Sequence, residues 1–255
     1  AFAPGSALDM GSFLPDEGPA YPMRITEVPA SSGYGEPISK FFKLDDQVRI
    51  IGAETADVRF TPKELKPPTK EDPPGPYLLV ATSEGMTLRT PFAPYREEST
   101  KAGRRYVRLD PGSKVVLVTV LRDEESLFLA SRDGHVIHFP IEQINILSGV
   151  GKGVIGIKLI DDDVCLGGAL VSNRHDALVV ETTGGGTKEF RRGAYPCVGR
   201  GGKGHEVVKR GGLVRVVPPS IDLIDWEALE EEGTVRTRTQ KTGDRNGPGK
   251  GNLFE

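Results

Sequence analysis

The sequence predicts an all-β fold, a propeller-like array in which each blade is a sheet of four short strands. The first observation is a repeat of about 50 residues, clear in three copies and faint in one, a length typical of propeller blades. The second is composition: 32 glycines and 20 prolines in 255 residues, with 7% aromatic residues, suit many turns and short strands. The third is that the copies keep one order of elements.

Each clear copy begins with an apolar, strand-like run, turns at glycine and later reaches a basic, glycine-rich stretch. The apolar runs of the three copies lie at 77–80, 127–129 and 177–180, and the basic stretches lie at 101–105, 151–153 and 199–204. A faint copy precedes them at about 18–52. Its first strand is expected at residues 1–3, with an otherwise irregular segment up to residue 17. About four repeats are therefore visible.

Within each copy, four strands are expected: two before the basic stretch, one after it, and one beyond a turn. That last turn is acidic in three copies, for example at Asp110 and at Asp161-Asp162-Asp163. Asp133-Gly134 before an apolar run predicts a tight hairpin, and a short helical turn is expected within 141–147. Equivalent loops of successive blades should then lie on one rim.

Three segments fall outside the repeats. Residues 54–76 are charged and proline-rich, and we predict a surface loop inserted between copies, because proline cannot donate to a central strand. The β domain is assigned to residues 1–219. Residues 220–232 are expected to form a short helix or linker. Residues 233–255, which are polar and rich in glycine, are expected to be a disordered tail.

The charge distribution favours a polyanionic partner. The formal net charge is −3, yet residues 188–215 carry eight cations against two carboxylates, and residues 89–108 carry six against two. Screening confines the effect of exposed charges to about 8–10 Å, so local basicity decides what a polyanion meets. Because aromatic residues are few in these loops, the pattern fits the backbone of a duplex better than stacked single-strand bases.

The sequence predicts no catalytic, nucleotide-binding or metal-binding site. Gly151-Lys152-Gly153-Val154-Ile155-Gly156 matches G-x-G-x-x-G, but β-branched residues follow where a dinucleotide site needs a helix. No P-loop, catalytic residue or metal site is predicted, and Cys165 and Cys197 form no metal-like pair, which favours a reduced cytoplasmic setting. No apolar run reaches the roughly 20 residues of a membrane span, and no signal peptide is expected. The start at Ala1 is interpreted as a fragment of a longer protein.

Two phrases carry a family resemblance: Leu127-Phe128-Leu129-Ala130-Ser131-Arg132-Asp133-Gly134 and Gly153-Val154-Ile155-Gly156-Ile157-Lys158-Leu159. With the repeat order over residues 18–219, they resemble the C-terminal domain of the A subunit of bacterial type II topoisomerases, DNA gyrase and topoisomerase IV. The resemblance implies a β-pinwheel, in which neighbouring blades exchange strands, that binds and bends double-stranded DNA.

It also implies partners and cofactors. These are a topoisomerase catalytic core and a B subunit in an A2B2 holoenzyme near the nucleoid. ATP and Mg²⁺ would be used elsewhere in that holoenzyme, with no cofactor in this fragment.

Gyrases carry a box, Gln-Arg-Arg-Gly-Gly-Lys-Gly, in their first blade. Here Val198-Gly199-Arg200-Gly201-Gly202-Lys203-Gly204 matches only its last five positions and lies in the last copy, which leaves gyrase and topoisomerase IV both open. The box-like loop is predicted to contact DNA through Gly199, Gly201, Gly202 and Gly204. The predicted DNA-binding cations are Lys101, Arg104, Arg105, Lys152, Arg191, Arg192, Arg200, Lys203, Lys209 and Arg210. The alternative is a protein-interaction propeller whose basic rim meets an acidic partner.

Overall fold

The computed structural model describes residues 10–29, 36–45, 47–56, 67, 69–218, 223–224 and 237–238. The chain divides into two compact units, residues 1–219 and 220–255. The first unit is all-β, as predicted, and its only helical segments among the described residues are 3₁₀ turns. These turns are Ile25–Glu27, Ile38–Lys40, Ala93–Tyr95 and Ile141–Gln143. The last of them is the helical turn expected within 141–147.

The strands of the first unit follow the predicted repeat, with four in each of the second, third and fourth copies. They are β1 Met10–Pro15, β2 Pro19–Arg24, β3 Ile50–Thr55, β4 Tyr77–Thr82, β5 Met86–Pro91, β6 Arg104–Arg105, β7 Val115–Val120, β8 Ser126–Ser131, β9 His135–Pro140, β10 Val154–Ile155, β11 Cys165–Val171, β12 Ala177–Thr182, β13 Thr187–Arg191, β14 His205–Glu206 and β15 Leu213–Val217. The hairpin predicted at Asp133-Gly134 joins β8 to β9.

Successive sheets exchange a strand. The strand orders are β3-β1-β2-β6, β10-β5-β4-β7 and β11-β8-β9-β14, followed by a three-stranded sheet β13-β12-β15. In each four-stranded sheet, the repeat's own second strand (β2, β5 or β9) pairs on its outer side with a two-residue strand. That short strand comes from the next repeat along the chain. These three exchanged pairings are antiparallel. This exchange is the arrangement that the resemblance to a β-pinwheel implied.

The exchange depends on one glycine directly before each exchanged strand. Gly103, Gly153 and Gly204 have φ of +72°, +83° and +79°, in the left-handed region that other residues rarely adopt. A Cβ at these positions would lie 2.8, 2.2 and 2.4 Å from the carbonyl oxygen of the residue that accepts the strand. Glycine therefore permits both the turn and the close approach of the two backbones.

The hydrophobic core is shared between neighbouring blades. One cluster combines Leu14 of β1 with Leu78 and Val80 of β4 and with Tyr106, which follows the exchanged strand β6. The Tyr106 ring is buried, and its hydroxyl donates a 2.6 Å hydrogen bond to the carbonyl of Pro15 in the preceding repeat. Burial of such an aromatic side chain with its polar group satisfied holds neighbouring repeats together.

The expectation of an irregular segment up to residue 17 is wrong for residues 10–15. Residues 10–15 form β1 and pair with β2 and β3, whereas the segment up to residue 17 was expected to be irregular. Gly11 and Pro15 lower the strand propensity of this segment, but Phe13 and Leu14 are buried, and tertiary packing outweighs propensity here. Residues 1–3, the expected first strand, lie outside the described residues. The proline-rich segment begins slightly later than predicted, because β3 continues to Thr55.

In the second unit the described residues form a short antiparallel pair, β16 Leu223–Ile224 and β17 Thr237–Arg238. The chain is thus extended at Leu223 and Ile224, where a helix or linker was predicted. It is also paired at two residues of the segment expected to be a disordered tail. The remaining residues of 220–232 and 233–255 lie outside the described residues. No described helix is long and apolar enough to cross a membrane.

Candidate nucleic-acid interface

The basic stretches lie at one edge of successive sheets. The opposite edge strands contact one another in series, β3 with β7, β7 with β11 and β11 with β15, and thus form the inner side of the array. The exchanged strands β6, β10 and β14 occupy the other, outer edge. The basic stretch of each repeat leads directly into its exchanged strand, so the prediction that these stretches share one surface agrees with the topology.

Around β6, the first group of predicted cations is only partly free. The Arg104 guanidinium donates a 2.6 Å hydrogen bond to the carbonyl of Pro94, which ties this side chain to its own repeat. Arg105 and Lys101 are exposed, and in the part of the chain that the structure describes neither side chain forms an ion pair. These two charges are available to a ligand at the outer edge.

Three other predicted cations already have carboxylate partners. Lys152 donates to Asp110 across the repeat boundary, with Nζ and Oδ2 2.6 Å apart. Arg191 pairs with Glu189 at 2.6 Å. Arg192 contacts Glu125 and the carbonyl of Ser172. A phosphate would have to compete with these carboxylates, so the charges of these cations are less available than their number suggests.

The box-like loop is held by its own arginine. The Arg200 N–H donates to the Gln143 side-chain oxygen at 2.9 Å, its Nε to the Gln143 carbonyl at 2.7 Å, and its Nη1 to the Ile155 carbonyl at 3.2 Å. Gly201 donates to the carbonyl of Gly156 at 2.7 Å. The arginine and this glycine of the loop thus join the fourth repeat to the third. Gly199 and Gly202 are exposed.

Lys203, Lys209 and Arg210 are exposed. Lys203 lines a shallow concavity whose other charged groups are Lys158 and the carboxylates of Asp133, Asp161 and Asp163. Asp163 is partly committed, because its Oδ1 accepts the N–H groups of Asp133 and Val164 at 2.9 and 2.8 Å. The local charge around Lys203 is therefore mixed, unlike that predicted from the basic run.

The second and third repeats identify the family. Residues 76–122 and 125–172 match the family model described as "DNA gyrase C-terminal domain, beta-propeller". These two repeats belong to the DNA gyrase C-terminal domain family. The two matches end close to the limits of the repeats seen in the structure, so the family unit and the structural repeat coincide.

Comparisons with curated relatives extend the gyrase similarity over more of the chain. The chain is 26% identical to the DNA gyrase A subunit of Helicobacter pylori over 228 residues, which is 87% of the chain and 26% of that protein. It is 32% identical to the DNA gyrase A subunit of Deinococcus deserti over 179 residues, 67% of the chain and 22% of that protein. The chain thus spans about a quarter of the length of these relatives.

Among solved structures, the C-terminal domain of DNA topoisomerase IV superposes with a TM-score of 0.69 at 20% identity. The superposition covers 82% of this chain and 62% of that domain. At this identity the likeness concerns the fold alone, and it agrees with the strand-exchanged blades described above.

Sequence reasoning missed three further cations of this domain. Lys43, Arg108 and Lys158 are exposed and occupy the position that Lys209 holds in the last repeat. The signal was present in the sequence, since Phe41-Phe42-Lys43-Leu44, Tyr106-Val107-Arg108-Leu109 and Gly156-Ile157-Lys158-Leu159 align. It is easily overlooked because the denser basic stretches upstream dominate the charge pattern.

The buried titratable groups of the domain serve packing. Burial raises the pKa of the Cys165 thiol to about 12, so the thiol is protonated near neutral pH. Desolvation lowers the pKa of His138, which stacks on Phe128 and shares a 2.8 Å hydrogen bond with Ser126 through Nε2. No cluster of three or more metal-ligating side chains occurs among the described residues.

Proposed function

We propose that this domain binds and bends double-stranded DNA as the C-terminal part of the A subunit of a type II DNA topoisomerase. The observation that carries the proposal is the serial strand exchange, which aligns a basic segment of each repeat on one outer edge. Two of the exchanging repeats match the gyrase family model. The relatives, which are A subunits of DNA gyrase, support the same assignment.

The physical basis is a rigid track of positive charge. Duplex DNA carries one negative charge per about 1.7 Å of its axis, and each phosphate neutralised by a cation releases counterions. Strand exchange fixes the spacing between cations of successive blades, so a duplex must follow the curvature of the array to meet them all. Bending a short duplex costs about 1–6 kcal/mol, which several phosphate contacts can offset. The domain would recognise the DNA backbone rather than base sequence.

The remaining parts of the reaction belong to the proposed holoenzyme. We place the passage of one duplex through another, with its ATP and Mg²⁺, in a catalytic core and a B subunit outside this chain, in an A2B2 assembly. We place that enzyme in the cytoplasm, in association with the nucleoid. This domain would contribute the bent DNA segment and bind no cofactor itself.

The incomplete box leaves gyrase and topoisomerase IV both open. Val198 and Gly199 stand where a gyrase box has Gln and Arg, and Arg200 is used to fix the loop to Gln143 and Ile155. The assay is supercoiling: the holoenzyme with this domain either introduces negative supercoils into relaxed plasmid, as a gyrase, or only relaxes and decatenates, as a topoisomerase IV.

Binding to long and short duplexes at two salt concentrations tests the proposal directly. Affinity should increase with duplex length, because a longer duplex reaches more repeats, and should decrease steeply with salt. Absent binding, or binding that does not respond to salt, would refute the DNA-binding role. Capture of an acidic protein in place of DNA would then favour a protein-interaction propeller.

A further inference from the structure

Each repeat presents one exposed cation at the same place. Arg108, Lys158 and Lys209 each lie three residues beyond an exchanged strand, and Lys43 holds the aligned position in the first repeat. We propose that these four residues, the seam cations, form a row of DNA phosphate contacts with one contact per repeat. This inference rests on the proposed DNA-binding function and assigns that function to residues outside the dense basic stretches.

The backbone of three of the four seam cations is fixed by the next repeat. The N–H of Arg108 donates to the carbonyl of Gly151 at 3.0 Å, and the N–H of Lys158 donates to that of Gly202 at 2.9 Å. Lys43 makes the equivalent contact with the carbonyl of Lys101 at 3.4 Å. Each acceptor lies two residues before the glycine that permits strand exchange. These three seam cations are therefore anchored by two repeats, and their positions follow the junctions between blades.

Three of the seam cations are also less compensated than the predicted cations that have carboxylate partners. Over the residues that the structure describes, the side chains of Arg108, Lys158 and Lys209 form no ion pair, whereas Lys152 and Arg191 do. A phosphate that approaches a seam cation displaces water instead of a bound carboxylate. The contact thus avoids the loss of an existing charge-assisted hydrogen bond.

The surroundings favour a duplex backbone over exposed bases. Single-strand binding without sequence preference relies on aromatic side chains that stack on bases. The exposed large hydrophobic residues of the described part of the chain are all aliphatic, namely Val28, Ile51, Val150, Ile155, Ile160, Val198 and Val214. A row of single cations without aromatic platforms fits phosphates at regular intervals.

The contacts should differ in strength. Lys158 lines the concavity that also contains the carboxylates of Asp133, Asp161 and Asp163. These carboxylates repel a phosphate at short range. Arg108 forms no ion pair among the described residues, and its guanidinium can bind a phosphate in bidentate fashion. We therefore expect Arg108 to contribute more than Lys158.

The test compares two quadruple variants that lose the same charge. The seam variant carries Lys43→Gln, Arg108→Gln, Lys158→Gln and Lys209→Gln. The control carries Arg24→Gln, Arg122→Gln, Arg132→Gln and Arg215→Gln, four exposed arginines each paired with a carboxylate. Binding to a long duplex is measured over a series of salt concentrations. The slope of log affinity against log salt should fall by about 3–4 in the seam variant, from about 0.9 per lost phosphate contact, and by less than about 1 in the control.

Two results separate the possible failures. If the parent chain does not bind duplex DNA, the proposed function fails and the seam row fails with it. If the parent binds but the seam variant keeps the parental slope, or matches the control, the seam row alone is overturned.

A second measurement tests the seam row even if the quadruple variant does not fold. A photo-crosslinker is placed at Arg108→Cys or at Arg215→Cys in a Cys197→Ser background. It should attach to duplex DNA from position 108 and not from position 215. Equal attachment from both positions would also overturn the seam row.

Discussion

Replacing Gly153 by alanine should disrupt strand exchange between the second and third repeats. The added Cβ would lie 2.2 Å from the carbonyl oxygen of Thr87, a backbone atom that cannot rotate away. Alanine at φ +83° costs about 1–2 kcal/mol in backbone strain. Displacing β10 also removes its ladder contacts to β5, at about 1 kcal/mol for each hydrogen bond. We expect the free energy of unfolding to fall by about 3 kcal/mol or more.

Gly112→Ala provides the matched control. Gly112 has nearly the same φ, +84°, but a Cβ there would meet no atom within 4 Å. Its cost should be the backbone strain alone, about 1–2 kcal/mol. Equilibrium urea unfolding of the two variants and the parent, with circular dichroism as the signal, measures the difference. Equal destabilisation by the two substitutions would refute the argument that close backbone approach, rather than φ, makes Gly153 necessary.

Three other predictions concern the box-like loop, the acidic concavity and the buried groups. Arg200→Lys should lower the unfolding free energy by about 1–2 kcal/mol, because lysine cannot reproduce the guanidinium hydrogen bonds to two carbonyls; an unchanged urea midpoint would contradict this. Asp161→Asn keeps a side chain that tolerates its φ of 50° and removes a negative charge, so duplex affinity at low salt should rise about two-fold, and no rise would exclude repulsion from this carboxylate. Since the pKa of His138 is lowered in the folded state, the free energy of unfolding should decline as pH falls below 6.5 towards that lower pKa. The urea midpoint at each pH measures this decline, and His138→Asn serves as the variant that lacks the titration. An equal decline in the parent and the variant would dismiss His138 as the cause.

Much of the architecture could be predicted from local patterns. The apolar runs, the glycine turns and the Asp133-Gly134 hairpin are short-range signals, and the structure contains the strands that they predict. The strand at Met10–Pro15 was missed because Gly11 and Pro15 obscure its strand pattern, although its partner β2 follows directly in the chain. Local sequence was informative where an apolar run is followed by a clear turn signal, as between β8 and β9.

Strand exchange itself could not be predicted from the residues alone. The exchanged strands have two residues each, too few to show any periodicity. Their partners are distant, as with Arg104 and Ala20, and nothing in either segment specifies the other. The family resemblance, rather than any pattern in the residues, supplied this expectation.

The candidate site also combines features that local sequence predicts with features that depend on the three-dimensional fold. Density of basic residues located the outer edge, but density does not reveal which charges are already paired. The partner of Lys152 is Asp110, in the preceding repeat, and the partner of Arg192 is Glu125. Such pairs depend on how repeats are juxtaposed in three dimensions. They can be identified only after the fold is known.

Strand exchange also determines the order in which the sheets are completed during synthesis. The sheet of β4, β5 and β7 receives its outer strand, β10, only after the first two strands of the following repeat have been made. Until then the edge of β5 has unpaired backbone groups, which can pair with another chain. A nascent chain emerging from the ribosome would therefore always expose one open edge, which moves towards the C-terminus as each new repeat covers the one before it.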